Sequence, residues 1–135
     1  MPQTVTIQLP EETLVRYQRG ARAARKVLEE FLVERLKDVA PPLADTLPSP
    51  LREELRELET TDDQTLWSIA HSQLPPNRQR LYNRLLRKNS QGTITVQEKH
   101  KLTVLGDEAR RLTLKKAHAY LLLKWRGHSV PAPEA

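Results

Sequence analysis

The chain has 135 residues, of which 38% are hydrophobic and 29% are charged, and its formal net charge is +5. This content suits one ordinary domain or two small ones, and no apolar run approaches the roughly 18 residues that span a bilayer. The sequence contains no cysteine, which agrees with a reducing compartment. We therefore expect a soluble cytoplasmic protein that has no membrane partner.

The first ten residues alternate between polar and apolar side chains, as a half-buried β-strand does. The apolar face would carry Val5, Ile7 and Leu9, and the polar face Thr4, Thr6 and Gln8. Two short helix-period segments follow, joined by a turn at Arg25 and Lys26, with Val27 as the cap of the second helix. One strand and two short helices bury too little apolar surface to form a complete fold. The pattern predicts that residues 1–39 form a homodimer whose strands pair antiparallel.

The segment from Gln3 to about Asp38 resembles the ribbon-helix-helix family of DNA-binding proteins. The resemblance rests on the alternating strand, on Leu9-Pro10-Glu11-Glu12 at the first helix, and on Leu28-Glu29-Glu30-Phe31-Leu32 at the second. It implies a two-stranded ribbon in the DNA major groove and second helices in the dimer core. The implied base-facing residues are Thr4, Thr6 and Gln8. The implied phosphate-binding residues are Arg25, Lys26, Val27 and Leu28. The implied dimer core consists of Val5, Ile7, Leu9, Leu28, Phe31, Leu32 and Leu36.

A proline-rich stretch at residues 40–48 predicts a linker, because proline removes N–H donors and interrupts helices. A helical region should occupy residues 49–127, and residues 128–135 should form a flexible tail. The predicted fold class is mainly α: an N-terminal ribbon-helix-helix module followed by a helical region with a long basic hairpin.

Helix starts and stops within residues 49–127 are well marked. Ser49-Pro50 and Pro75-Pro76 each predict a helix start, and Gly92 predicts a helix end. Thr61-Asp62-Asp63-Gln64 and Thr95-Val96-Gln97-Glu98 both fit the capping box, in which a hydroxyl and a Glu or Gln satisfy free backbone donors reciprocally. The last helix should run from Val96 to about Arg126.

Residues 76–126 hold thirteen Lys/Arg and three Asp/Glu, a net charge of +10. Such a basic hairpin is either a solvated face or a surface for DNA phosphate or an acidic protein. Two tryptophans lie on apolar helical stripes, where they fit either a core or an interface. The predicted partner surface consists of Trp67, Arg84, Arg87, Arg110, Arg111, Lys115 and Trp125.

Catalytic chemistry has little support in this sequence. The four histidines show no ligand spacing, so we expect no metal site. Four glycines form no phosphate-binding loop, and Asp62 and Asp63 are explained as complements of a helix dipole. We therefore expect no enzyme activity, no cofactor and no small-molecule substrate.

Three functional hypotheses remain. The first is a homodimeric ribbon-helix-helix DNA-binding regulator. The N-terminal module, the proline linker and the helical extension together resemble the layout of bacterial antitoxins and small repressors. The helical region would then bind a partner protein such as a toxin. The second is a helical adaptor that dimerises through its N-terminus and binds no DNA. The third is a nucleic-acid binder without sequence specificity that uses residues 76–126.

Overall fold

The computed structural model describes residues 1–42 and 47–130. These ranges contain six α-helices, one 3-10 turn at Leu58–Thr60 and no β-strand. The helices are α1 (Glu11–Ala23), α2 (Leu28–Val39), α3 (Ser49–Glu57), α4 (Asp63–Ala70), α5 (Pro76–Gln91) and α6 (Val96–Trp125). The chain divides into two compact units, Met1–Ala40 and Pro41–Ala135. Part of the predicted linker, residues 43–46, and part of the predicted tail, residues 131–135, lie outside the described residues.

The prediction of an N-terminal ribbon was wrong. Residues 1–10 adopt no regular secondary structure, and Val5 and Ile7 are 80% and 64% exposed. A ribbon-helix-helix fold requires a strand ribbon, so this finding overturns both the family resemblance and the ribbon in the predicted fold class. The mainly α class itself is confirmed. Alternation assigns side chains to faces, but a strand also needs partners for its backbone N–H and C=O groups, and the described residues provide no paired strand.

In the first unit, the turn between the helices lies where the sequence predicted it. Arg25 adopts a left-handed conformation with φ of 57°. The Lys26 N–H donates to the Ala21 carbonyl at 2.9 Å, which satisfies one of the free carbonyls at the end of α1. Val27 then precedes α2 in extended conformation as its N-cap. The break at Arg25 and Lys26 is therefore confirmed.

Helices α1 and α2 approach each other closely at Gly20. A β-carbon added to Gly20 would lie only 3.1 Å from Cζ of Phe31, so the absence of a side chain permits this close approach. The Tyr17 ring meets the Phe31 ring edge-on at 6.2 Å between centroids. Ala21 is the one fully buried residue described in this unit, and α2 contains none. The first unit therefore has very little core of its own.

The second unit has a continuous apolar core. α3 and the 3-10 turn contribute Leu51, Leu55 and Leu58; α4 contributes Leu66 and Ala70; and α6 contributes Ala119, Leu122 and Leu123. Leu66, Leu122 and Ala119 have no exposed surface. Their spacing places them on the inner faces of amphipathic helices, as burial of an apolar stripe requires.

The first half of α6 pairs with α5 in an antiparallel hairpin. Ion pairs cross between the helices at both ends of α5, from Arg78 to Glu108 at 2.7 Å and from Lys88 to Glu98 at 2.6 Å. The hairpin turn begins at Gly92, which has φ of 73° and ends α5 as predicted. No helix within residues 1–42 and 47–130 combines the length and the hydropathy needed to cross a membrane.

Of the two predicted capping boxes, one is confirmed and one is shifted. Thr95 accepts from the Glu98 N–H, and the Glu98 carboxylate accepts from the Thr95 N–H, each at 3.1 Å. At the start of α4 the cap is Asp62, whose carboxylate accepts from the Thr65 N–H at 3.1 Å. A carboxylate competes well for this role, since it also complements the helix dipole. Hydrogen bonds donated by Thr65, from its side chain and from its backbone N–H, lower the pKa of the Asp62 carboxyl group.

His118 is a buried titratable group on α6, 4% exposed, whose Nε2 has no hydrogen-bond partner within the described ranges. Burial lowers the pKa of its imidazole from the usual value of 6.5, and the Glu59 carboxylate opposes this shift only in part. The folded state therefore favours neutral imidazole, whereas the unfolded chain takes up a proton near the ordinary pKa. The contribution of neutral His118 to stability is present above its ordinary pKa of 6.5 and is lost as the pH falls below that value.

We expect the chain to be less resistant to urea at about pH 5 than at about pH 7.5, and His118→Asn to lose much of this difference. Urea unfolding followed by helical circular dichroism would measure the effect. Carboxylates contribute little to the change over this range, because the shifted ones have ordinary pKa values of 4.5 or 3.8 and lower values in the folded state, so their stabilisation is lost mainly below about pH 4.5. An unchanged pH dependence in His118→Asn would show that another group is responsible.

Candidate nucleic-acid interface on α5

α5 is the most one-sidedly charged helix of the second unit. Its sixteen residues include five Lys/Arg and no Asp/Glu. Pro76 lies in the first turn, where its missing N–H costs nothing, and Leu85 on the inner face is only 1% exposed. Because the inner face is held against α6, the opposite side of α5 is directed to solvent.

Three arginines occupy that outer side at spacing i, i+4 and i+7: Arg80, Arg84 and Arg87, here called the arginine stripe. All three are exposed, and none forms an ion pair within the part of the chain that the structure describes. Asn77, Asn83 and Leu81 complete the lining of a shallow groove along the stripe. The stripe thus presents three free guanidinium groups beside two amides.

Several other cations of the hairpin already have carboxylate partners. Lys88 and the backbone of Thr95 hydrogen-bond to Glu98 and lower its pKa to about 2, so this partner stays ionised. Arg111 and Lys115 share Glu54 at 2.6 and 3.2 Å, and the Arg111 hydrogen bond is the main cause of the lowered pKa of that carboxyl group. Arg110 pairs with Asp107. These pairs reduce the charge available to a ligand, whereas the arginine stripe keeps its charge.

A second groove meets the arginine stripe at Arg80. It lies between the start of α5 and the middle of α6, and Arg80 and Lys116 are its cations. Lys116 forms no ion pair within the described ranges, and Gln79 and Thr113 add polar atoms to the lining. The positive surface therefore continues from α5 towards α6.

The structure does not assemble the predicted DNA-reading surface. Thr4, Thr6 and Gln8 are exposed in an irregular segment, so no ribbon orients them. Lys26 is paired with Glu34. Of the other predicted phosphate-binding residues, Arg25 and Val27 are exposed and Leu28 is half-buried.

The predicted dimer-core residues are also dispersed in the single chain. Three of the seven are exposed, namely Val5, Ile7 and Leu36, and Leu36 is 69% exposed. The half-buried members are Leu9, Leu28, Phe31 and Leu32. Their role in a dimer stays a prediction.

The seven residues of the predicted partner surface fall into separate places. Arg84 and Arg87 belong to the arginine stripe, while Arg110, Arg111 and Lys115 are paired on α6 as described above. Trp67 is half-buried, and its ring lies 6.3 Å from that of Tyr120. Trp125 is 50% exposed at the end of α6. Arg80 was missing from the predicted set, although its spacing to Arg84 and the lack of acidic residues in the segment could have identified it.

Asp63 has a structural partner set that the sequence did not suggest. Arg126 and His128 contact its two carboxylate oxygens at 2.8 and 2.6 Å, and the Arg126 hydrogen bond is the leading cause of its lowered pKa. Arg126 also donates to the carbonyls of Thr61 and Glu59. This cluster ties the chain after α6 to the start of α4.

No group of three or more His, Cys, Asp or Glu side chains suited to a metal ion occurs within residues 1–42 and 47–130. A scan against protein-family models and searches of curated proteins and of solved structures found nothing that matches this chain.

Proposed function

We propose that this protein binds double-stranded nucleic acid through the arginine stripe, by contact with phosphates and without sequence specificity. The observation that supports the proposal most directly is the set of three exposed arginines on one helix face for which residues 1–42 and 47–130 provide no carboxylate partner. Exposed cations on proteins are common, but a helix with no acidic residue concentrates positive potential along one line. Phosphate backbones carry closely spaced negative charges, so such a line of cations attracts them.

The side-chain chemistry favours phosphate over a carboxylate surface. A guanidinium group is planar and always charged, and it can donate two parallel hydrogen bonds to one phosphate. At a rise of about 1.5 Å per residue, Arg80 and Arg87 lie about 10 Å apart along the helix axis. Three such side chains can therefore reach successive phosphates along one groove edge. Asn77 and Asn83 supply neutral donors at the border of the same groove.

The stripe lacks the groups that recognise single-stranded bases. No aromatic residue lines its groove, whereas binding to unpaired bases depends on aromatic stacking. Tyr82, the aromatic residue of α5, is directed instead towards Gly106 of α6, near which its hydroxyl lies. Duplex binding by charge is therefore better supported than recognition of single strands.

Fluorescence anisotropy with labelled duplexes of two unrelated sequences tests this proposal. We expect similar affinities for both, and an affinity that falls with salt at a logarithmic slope of about −3, as three phosphate contacts give. Binding of one duplex only would contradict the lack of specificity. Polyglutamate is the comparison ligand: tight binding to it with no binding to either duplex would favour an adaptor for acidic proteins.

A second candidate property, dimerisation through α2, is favoured by a separate observation. No residue of α2 is buried, and Leu36 and Val39 are 69% and 66% exposed. Glu29 and Glu30 lie in the first turn of α2 and Lys37 in the last. Two antiparallel copies would therefore place Lys37 of one chain near the acidic turn of the other while covering the apolar side chains. Each dimer would carry two arginine stripes, which raises affinity for a long duplex.

We expect the protein to be a dimer by light scattering at about 50 μM, and Leu36→Glu to convert it to a monomer, because a carboxylate would be buried at the pairing surface. Gln18→Glu is the matched control, since it adds the same charge at an exposed position of α1. A wild-type monomer, or equal dimerisation of Leu36→Glu, would overturn dimerisation through α2.

A further inference from the structure

The second half of α6 carries an apolar stripe that no described residue of the second unit covers. Leu114, Leu121 and Trp125 are 41%, 47% and 50% exposed, and the exposed Ala117 lies between them. The spacing i, i+3, i+7 and i+11 places these four residues on one side of the helix. This set, here called the α6 stripe, extends over about three helical turns.

The α6 stripe is distinct from the core-facing side of the same helix. Leu122 and Leu123 have no exposed surface and belong to the apolar core, although they immediately follow Leu121. Leaving Trp125 half-exposed in water forgoes burial of one of the largest apolar side chains. Residues 114–125 thus serve the fold on one side of α6 and leave a second apolar side exposed.

The segment that carries the α6 stripe is net positive, because its six cations outnumber the three carboxylates, Asp107, Glu54 and Asp63, that pair with four of them. Residues 109–126 contain six Lys/Arg and no Asp/Glu. Lys124 lies next to Trp125 in the sequence and forms no ion pair within the described ranges. A second copy of the same stripe would bring like charges together, which disfavours self-association here.

We infer that the α6 stripe docks an amphipathic helix of a partner protein whose apolar side chains are flanked by Asp and Glu. The length of the stripe fits a helix of about three turns, and the small Ala117 between Leu114 and Leu121 leaves space for a large side chain of the partner. Acidic flanks would meet Lys124 and the net positive charge of this segment, which also selects against basic helices. This site is separate from the arginine stripe and does not depend on nucleic-acid binding.

A titration with defined peptides tests the inference on the full chain. Trp67→Phe leaves Trp125 as the single tryptophan, so its emission reports on the α6 stripe. The probe is a synthetic amphipathic helix of about 18 residues with leucines on one face and glutamates at the flanks. We expect a saturable blue shift of Trp125 emission, and affinity at least about tenfold weaker for the same peptide with lysines in place of glutamates.

A substitution in the protein completes the test. Leu121→Ser should weaken binding of the acidic peptide by about tenfold, because it removes apolar contact at the centre of the stripe. Leu86→Ser is the matched control, since Leu86 is 43% exposed on α5. Equal binding of the two peptides, no blue shift, or a Trp125 already shielded from acrylamide in the free chain would overturn the inference. So would binding to anionic lipid vesicles without binding to the acidic peptide.

Discussion

Replacing Arg80, Arg84 and Arg87 together with glutamine should weaken binding to duplex DNA by about 100-fold at low salt, because three charge-assisted hydrogen bonds to phosphate are lost. The logarithmic salt slope should fall towards zero in the same variant, since each lost phosphate contact reduces it by about 1. Anisotropy titrations at several salt concentrations measure both quantities. All three side chains are exposed, so helical circular dichroism should remain unchanged.

The matched control removes the same three charges from paired positions. Arg110, Arg111 and Lys115 form ion pairs with Asp107 and Glu54, and replacing them with glutamine lowers the net charge equally. We expect this control to lose much less affinity, because attraction at a distance is screened and the contacts of the arginine stripe remain. Equal losses in the two variants would mean that total charge, and not the arginine stripe, determines binding.

The second large effect concerns stability and compares two adjacent leucines of α6. Leu122→Ala should lower the free energy of unfolding by about 3 kcal/mol, since Leu122 is completely buried between α6 and the other core helices. Leu121→Ala should change it by less than about 0.5 kcal/mol, because Leu121 is 47% exposed. Both substitutions have the same effect on helix propensity, so the difference isolates burial.

Urea unfolding of both variants, followed by helical circular dichroism at neutral pH, measures this difference. The melting temperature of Leu122→Ala should fall by about 10 °C or more. If Leu121→Ala were as destabilised as Leu122→Ala, Leu121 would be buried in the protein in solution, and the α6 stripe could not be a free docking surface.

Local signals in the sequence predicted the second unit well. Thr95 and Glu98 form the expected capping box, and Gly92 ends α5 in the left-handed conformation that glycine tolerates. These signals involve residues within four positions of one another, so neighbouring atoms determine them. The shift from Thr61 to Asp62 at the start of α4 shows the usual uncertainty when several capping residues are adjacent.

The prediction for the N-terminal segment was wrong for the opposite reason, because a strand depends on residues far away in the chain. Whether Val5 and Ile7 form a strand depends on a distant pairing partner, and alternation contains no information about that partner. The same limit applied to charge. The net charge of the basic hairpin follows from the sequence. Glu54, however, pairs with Arg111 across 57 positions, and no sequence pattern indicates which cations remain without such a partner.

Helix α6 packs against α5 and also against α3 and α4, which has a consequence for fragments of this protein. α5 packs on the first half of α6, and α3 and α4 pack on the second half, so one continuous thirty-residue helix completes both the α5–α6 hairpin and the apolar core. Expressing residues 47–91 alone would remove the surface on which Leu66 and Leu85 are buried. The second unit should accordingly gain and lose its structure as one cooperative entity, and its amide protons along α6 should exchange with solvent at comparable rates.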